Sequence, residues 1–252
     1  MRILFTICGR AGSKGIKGKN VMDFCGKPLA LYSLSAICLY CDRHSEHEYG
    51  IALNTDSDKL RDIIFSSNMA RAHPVMMINR RDDLAGDMVA KVAVLLDTLE
   101  QAEKMQSRRY DMAVDLDITS PLRTVADIER LIEKKIKTGA DVVYSVTEAR
   151  RNPYFNMVRK TEHGYKKVIQ SDFVSRQQAP LIFDMNASLY AYEPSFLRSG
   201  KNVLDGYGEI IEMYDTGIID LDKPSDFELM EVIGKWLYEN KAVFNEVREN
   251  VI

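Results

Sequence analysis

Short apolar runs alternate with amphipathic stretches along the first 150 residues of the chain. Residues 3–8 are apolar nearly throughout and stop at a glycine-rich loop, which predicts a strand buried on both faces. Residues 49–53, 75–78, 111–116 and 141–146 repeat that signal. The stretches between them carry helical spacing. Pro28 is expected to open a helix with Leu29, Leu31, Leu34 and Ile37 on one broad face. Asp56 is expected to cap a helix running to about Ser66. Residues 85–105 read as a long helix through Val89, Val92, Leu95, Leu96 and Leu99, and Thr124 starts another. This alternation predicts βαβ units and a mostly parallel sheet.

The pattern changes after about residue 148. Residues 150–175 are polar, with short extended pieces expected at 155–158 and 166–169, and read as an excursion from the sheet. Core-like strands resume at 188–192 and 218–221. A last helix is expected from about Ser225, carrying Leu229, Val232, Ile233, Trp236 and Leu237. No internal repeat or low-complexity segment interrupts the chain, so a single domain over residues 1–252 is expected.

Composition narrows the function classes. The 252 residues carry 34 basic and 37 acidic side chains, a net charge of -3. No bulk electrostatic signal therefore favours nucleic acid or an anionic membrane. No apolar run approaches the roughly 18 residues that span a bilayer, and the first apolar stretch is too short for a signal peptide. A cytoplasmic enzyme is the expectation. Cysteines are few. Cys38, Cys41, His44 and His47 recur at a spacing of three, but the usual loop of about a dozen residues between zinc-ligand pairs is missing. The plainer reading puts both thiols at the end of a helix and both histidines in a polar loop.

Three segments carry chemistry. The loop after the first strand runs Gly9-Arg10-Ala11-Gly12-Ser13-Lys14-Gly15-Ile16-Lys17-Gly18-Lys19-Asn20. Glycines let backbone N–H groups approach a phosphate, and Arg10, Lys14 and Lys19 add cations. The loop has no Gly-x-Gly pair, so it is not the dinucleotide fingerprint. Asn20 after Lys19 departs from the Walker A pattern. The second segment, Asp117-Ile118-Thr119-Ser120-Pro121-Leu122-Arg123, follows a central strand, at the end where open α/β sheets bind ligands. In the third, Asp220 and Asp222 share one face of an extended segment, an arrangement suited to a hard cation.

Taken together and in this order, these segments resemble the acylneuraminate cytidylyltransferase family, the CMP-sialic acid synthetases. The resemblance rests on Arg10, Ser13, Lys14, Gly15, Lys19 and Asn20, on Asn54-Thr55-Asp56, on Arg80 with Leu84-Ala85-x-Asp87, and on Thr119-Ser120-Pro121-Leu122-Arg123. It extends through Arg176-Gln177, Asn186-Ala187-Ser188-Leu189-Tyr190 and Asp220-x-Asp222. It implies a three-layer α/β/α, Rossmann-like fold of the nucleotide-diphospho-sugar-transferase type, with residues 150–175 as a dimerisation arm and the protein a homodimer. It also implies transfer of CMP from CTP to a nonulosonic acid, with Mg²⁺ held by Asp220 and Asp222. Arg10, Lys14, Lys19 and Asp222 would be catalytic. The nucleotide would be bound by Arg10, Gly12, Ser13, Lys14, Lys19, Asn20, Arg80, Thr119 and Ser120. The sugar would be bound by Asp117, Arg123, Arg176, Gln177 and Asn186. One departure stands out: the family usually has Gln where this chain has Asp117, so the resemblance leaves open whether the sugar is N-acetylneuraminate, its deaminated form or a bacterial relative such as legionaminate. The alternatives are a cytidylyltransferase for an eight-carbon keto acid and a catalytically inactive nucleotide-binding protein of the same fold.

Overall fold

A computed structural model of the chain describes residues 1–12, 15–86, 88–215, 221 and 223–251. The expected strand at 218–221 and the candidate residues Ser13, Lys14, Asp220 and Asp222 fall outside the described residues, apart from Leu221 itself. Strands β1 (Arg2–Gly9), β4 (Glu48–Thr55), β5 (Val75–Asn79), β6 (Met112–Leu116), β7 (Val142–Glu148), β10 (Phe183–Tyr192) and β11 (Gly208–Glu212) form a seven-stranded sheet in the order β11-β7-β10-β6-β1-β4-β5. A short ribbon pairs β2 (Asp23–Phe24) with β3 (Lys27–Pro28). The main sheet is parallel except at β10, which runs antiparallel to both β6 and β7.

Side chains of β1 alternate between two cores. Ile3, Phe5 and Ile7 are fully buried with Leu34 of α1 (Leu29–Arg43), Ile128 of α5 (Val125–Thr138) and Val247 of α8 (Ala242–Glu249). Leu4 faces the other way, toward Leu95 and Leu99 of α4 (Lys91–Gln106) and Phe196 of α6 (Pro194–Arg198). Three layers result. Burying each such side chain stabilises the fold by about 1.5–3 kcal/mol. The unbroken apolar run of β1 is the sequence signature of a strand covered on both faces. No helix among the described residues is long and apolar enough to cross a membrane.

Several boundaries differ from the pattern-based reading, each for a local reason. Helix α2 (Asp58–Ser66) is capped by Ser57, whose hydroxyl accepts from Leu60 N at 3.2 Å. Asp56 instead accepts from Ala11 N at 2.7 Å and so tethers the glycine loop. Helix α3 (Asn68–Ala72) follows a second serine cap, Ser67. The stretch expected as one helix from residue 85 begins only at Lys91, after a 3-10 turn over Asp82–Leu84. Residues 155–157 are not extended, and the strand expected there starts only at Val158; Asn152 folds the residues before it into a turn, its carbonyl accepting from Phe155, Asn156 and Met157 and its side chain from Tyr154 N at 2.9 Å. Helix α7 (Pro224–Asn240) buries Phe227, Met230, Gly234 and Leu237, while Leu229, Val232 and Trp236 of the expected apolar set are half exposed or more.

Within residues 150–175, β8 (Val158–Thr161) and β9 (Gly164–Lys167) pair only with each other, so this segment is a hairpin outside the main sheet. Cys38 and Cys41 are buried in the last turns of α1, and burial pushes both thiols up, that of Cys38 to about 12. The His44 ring nitrogens face Glu46 and Glu129, at 3.2 and 3.1 Å. The described residues thus follow the plainer of the two readings of this cluster.

Gly9 ends β1 where nothing larger fits. A Cβ there would lie 2.5 Å from Leu60 Cδ2 and 2.7 Å from Ile118 Cδ1, both in the core. Gly9→Ala is expected to destabilise the protein by about 1–3 kcal/mol through overpacking, read as a lower midpoint in urea unfolding at unchanged slope.

Candidate active site

The C-terminal ends of β1, β5 and β6 converge on a cleft of ≈ 240 Å³, lined among others by Arg10, Lys19, Asn20, Arg80, Asp117 and Thr119. The glycine loop is anchored at three points around it. Ala11 N donates to Asp56, Asn20 Nδ2 donates to the Arg10 carbonyl at 3.1 Å, and Lys19 Nζ donates to the Leu221 carbonyl at 2.7 Å. Gly18 takes a φ of 68°, a conformation that glycine tolerates without strain, just before the 3-10 turn that presents Lys19 and Asn20. The last anchor matters because Leu221 lies between Asp220 and Asp222. It brings Leu221 to the lysine of the phosphate-type loop.

Arg80 is held by Asn54, with Nε to Oδ1 at 2.9 Å and Nη2 to the carbonyl at 3.2 Å. Asn54 is itself buried and donates to Thr98 Oγ1 at 2.9 Å. Arg10, Lys19 and Arg80 therefore present three cations to one concave surface, in a chain whose net charge is -3. Such a surface suits a polyphosphate. Thr119 lines the same cleft; Gly12 and Ser120 do not.

A second cavity of ≈ 400 Å³ lies alongside, with Met185, Tyr190, Tyr192, Val203 and Leu204 in its wall. Lys91 and Asp117 line both spaces. Asp117 Oδ1 accepts from Thr119 N at 2.9 Å and Thr119 Oγ1 at 2.7 Å, and its Oδ2 accepts from Lys91 Nζ at 2.6 Å. Burial alone would raise the Asp117 carboxyl, but the Lys91 charge and these bonds outweigh it and hold the group below the usual carboxylate range. Lys91 also meets Asp115 Oδ2 at 2.7 Å. Burial alone would lower the Lys91 pKa, yet the two carboxylates raise it well above the ordinary value. Lys91 is the functional candidate that the sequence reading missed. Its signal was a cation in the first turn of a helix, where the dipole disfavours positive charge and an acidic partner is implied.

Arg123 requires a correction. It was expected at the sugar, but it is 1% exposed. Its guanidinium donates to Ser188 Oγ at 3.2 Å, to Ser33 Oγ at 3.0 Å and to the carbonyls of Asp117 and Ser120. It shapes the loop from inside and presents no surface to a ligand. Asn186 is likewise buried. Its Oδ1 accepts from Ser145 Oγ at 2.5 Å, and its Nδ2 has no hydrogen-bond partner. Arg176 and Gln177 line a separate cavity of ≈ 300 Å³ at the base of the hairpin, where Arg176 donates to the Ala149 carbonyl at 2.6 Å. Within one chain the structure does not bring these two to the cationic cleft.

A glycine loop and three cations at the carboxyl edge of a mostly parallel three-layer sheet define a nucleotide-binding α/β protein, and the comparisons agree in kind. Residues 4–246 match the Cytidylyltransferase family, and the chain belongs to it; the protein is a nucleotidyltransferase. The chain is similar to the post-translational flagellin modification protein B of Campylobacter coli, at 31% identity over 92% of this chain and 95% of that protein. It is 30% identical to the CMP-N,N'-diacetyllegionaminic acid synthase of Campylobacter jejuni subsp. jejuni, over 92% of this chain and 94% of the relative. Among solved structures it superposes on a CMP:2-keto-3-deoxy-manno-octonic acid synthetase complexed with CTP. That match has a TM-score of 0.64 at 15% identity and covers 94% of this chain and 99% of the other, a likeness of fold.

Because Arg123 joins four groups through a planar fork, lysine is no substitute. Arg123→Lys is expected to cost about 2–4 kcal/mol, since at least two buried acceptors lose a charged donor, measured by chemical denaturation.

Proposed function

We propose that the protein transfers CMP from CTP to the anomeric hydroxyl of a nonulosonic acid, one bearing two acylamino groups in the manner of diacetyllegionaminate, and releases pyrophosphate. The observation that carries this reading is the pairing of the two spaces. A cationic cleft suited to a triphosphate adjoins, across Lys91 and Asp117, a cavity walled largely by two tyrosines and apolar side chains. Acetyl methyl groups favour such a wall over water. The relative that makes CMP-N,N'-diacetyllegionaminic acid supports the same choice.

Arg10 and Lys19, which line the cleft, would bind the phosphates with Lys14 of the same loop. Asn20, Arg80 and Thr119 of this cleft would contact base and ribose, together with Gly12, Ser13 and Ser120. The reaction needs positioning and charge neutralisation more than covalent help: the anomeric oxygen attacks the α-phosphorus in line and pyrophosphate leaves. Two carboxylates are a fitting donor set for Mg²⁺, and Leu221, between them in the sequence, accepts from Lys19 of the phosphate loop. Asp220 and Asp222 would hold the ion, which when bound neutralises charge on phosphate oxygens. Among the described residues no group of three His, Cys, Asp or Glu side chains is arranged to hold a metal.

The test is pyrophosphate release with CTP across N-acetylneuraminate, its deaminated form, diacetyllegionaminate and pseudaminate, with and without Mg²⁺. Turnover is expected with CTP and not UTP, fastest with diacetyllegionaminate, and abolished by chelation. A preference for N-acetylneuraminate would overturn the sugar assignment, and comparable turnover with UTP would overturn the nucleotide assignment.

We propose further that the hairpin pairs two copies of the chain. It leaves Val158, Tyr165 and Val174 largely exposed, at 63%, 71% and 79%, and an isologous contact would cover the same residues on both chains. Light scattering at micromolar concentration is expected to give about twice the 28.7 kDa chain mass; the chain mass itself would reject the dimer.

A further inference from the structure

Lys91 and Asp117 form the shared wall of the two cavities, and the hydrogen-bonding capacity of each is not fully used. An ammonium has three donors. Lys91 donates one to Asp117 Oδ2 at 2.6 Å, and its ammonium lies 2.7 Å from Asp115 Oδ2 as an ion pair without hydrogen-bond geometry. A carboxylate offers about four acceptor sites. Asp117 fills two on Oδ1 with Thr119 and one on Oδ2 with Lys91. Donor capacity on Lys91 and one acceptor site on Asp117 Oδ2 remain, on atoms 2.6 Å apart. The two side chains are 36% and 23% exposed, so this residual capacity is not sealed in the core.

The position is fixed from behind. Asp115 is 1% exposed and accepts from Thr6 Oγ1 at 2.8 Å. It therefore draws Lys91 inward, and Lys91 in turn sets the rotamer of Asp117. Thr119 grips the other oxygen of Asp117, and Arg123 with Ser33 holds its carbonyl. A polar group that both accepts and donates, placed at this wall, would meet one charged donor and one charged acceptor side by side. A hydroxyl is such a group; a phosphate oxygen is not, because the acceptor half of the pair repels it.

We propose that the Lys91–Asp117 ion pair reads a single hydroxyl of the sugar acid, with Lys91 donating to the hydroxyl oxygen and the hydroxyl donating to Asp117, and that it thereby determines sugar recognition without contributing to CTP binding. The arrangement supplies the donor and acceptor that one carboxamide would present, built from two side chains on different elements. It adds Lys91 to the expectation that Asp117 contacts the sugar. The proposal rests on the sugar-transfer reading above.

The test uses the full-length protein with the best sugar of the panel, comparing Lys91→Met, Lys91→Arg, Asp117→Ala and the Lys91→Arg/Asp117→Ala double variant. Folding is checked by near-UV circular dichroism and CTP affinity by calorimetry without sugar. Each single variant is expected to raise the sugar KM about tenfold or more, the scale of one hydrogen bond to a charged group, with CTP affinity within about twofold of wild type. The double variant should be at most about threefold worse than the worse single one, because both side chains serve one hydroxyl. Lys91→Met leaves Asp115 without its counter-ion and is at risk of misfolding; Lys91→Arg keeps the charge and moves the donor, so it decides the matter by itself. An unchanged sugar KM in folded Lys91→Arg, or losses of CTP and sugar affinity in step, would overturn the proposal. Wild-type protein inactive with every nonulosonic acid, but still binding CTP, would instead overturn the sugar-transfer reading on which it depends.

Discussion

A guanidinium removed from water must have its donors answered, and the answers to Arg123 hold the site together. Its partners come from three places: Ser33 in α1, Ser188 in β10, and the carbonyls of Asp117 and Ser120 in the loop after β6. Desolvation lowers its pKa to about 10, against the pull of Asp117, Asp115 and Asp127, which still leaves it charged at neutral pH. A buried charge of this kind gives little net stability, but removing a partner leaves another group unpaired, so the arrangement tends to be all or none. The loop that carries Asp117 and Thr119 is thereby fixed relative to both the helical layer and the antiparallel strand.

From that fixed loop the charges follow in order. Asp115 and Asp117 are two residues apart where strand β6 ends, so they point to the same side of the sheet. Lys91 answers both, and the helix it starts is pinned at its first turn. On the other side of the cleft Asn54 orients Arg80, and Asp56 tethers the glycine loop. Polar residues at the ends of β4 and β6 thus position basic residues on the loops between strands. This is how a chain of slightly negative net charge presents a cationic surface at one place.

The sheet was legible because its strands are buried on both faces and announce themselves as apolar runs. Reading β10 as antiparallel was not possible from such a run, since burial on both faces looks alike in either direction. Strand β11, Gly208–Glu212, is a short edge strand with charged residues and lacks the signal altogether. The glycine loop, Arg80 and Thr119 were legible as chemistry and do converge. Arg123 was legible as a motif residue but not as a buried one, because a sequence does not say whether an arginine faces a ligand or its own backbone. Lys91 was hidden by its neighbours: residues 85–90 carry enough apolar side chains to extend the helical pattern backwards past its true start.

An ion pair and an amide differ in what holds them in place. A carboxamide is neutral and fixes donor and acceptor on one planar group, whereas Lys91 and Asp117 hold each other by charge and require a third residue to aim them. Asp115 supplies that, and its own burial is tolerated only because Lys91 is present. The three residues are therefore coupled: changing Asp117 to the amide alone leaves Lys91 shared between one carboxylate and one weaker acceptor, and changing Lys91 alone leaves two carboxylates facing each other across the strand end.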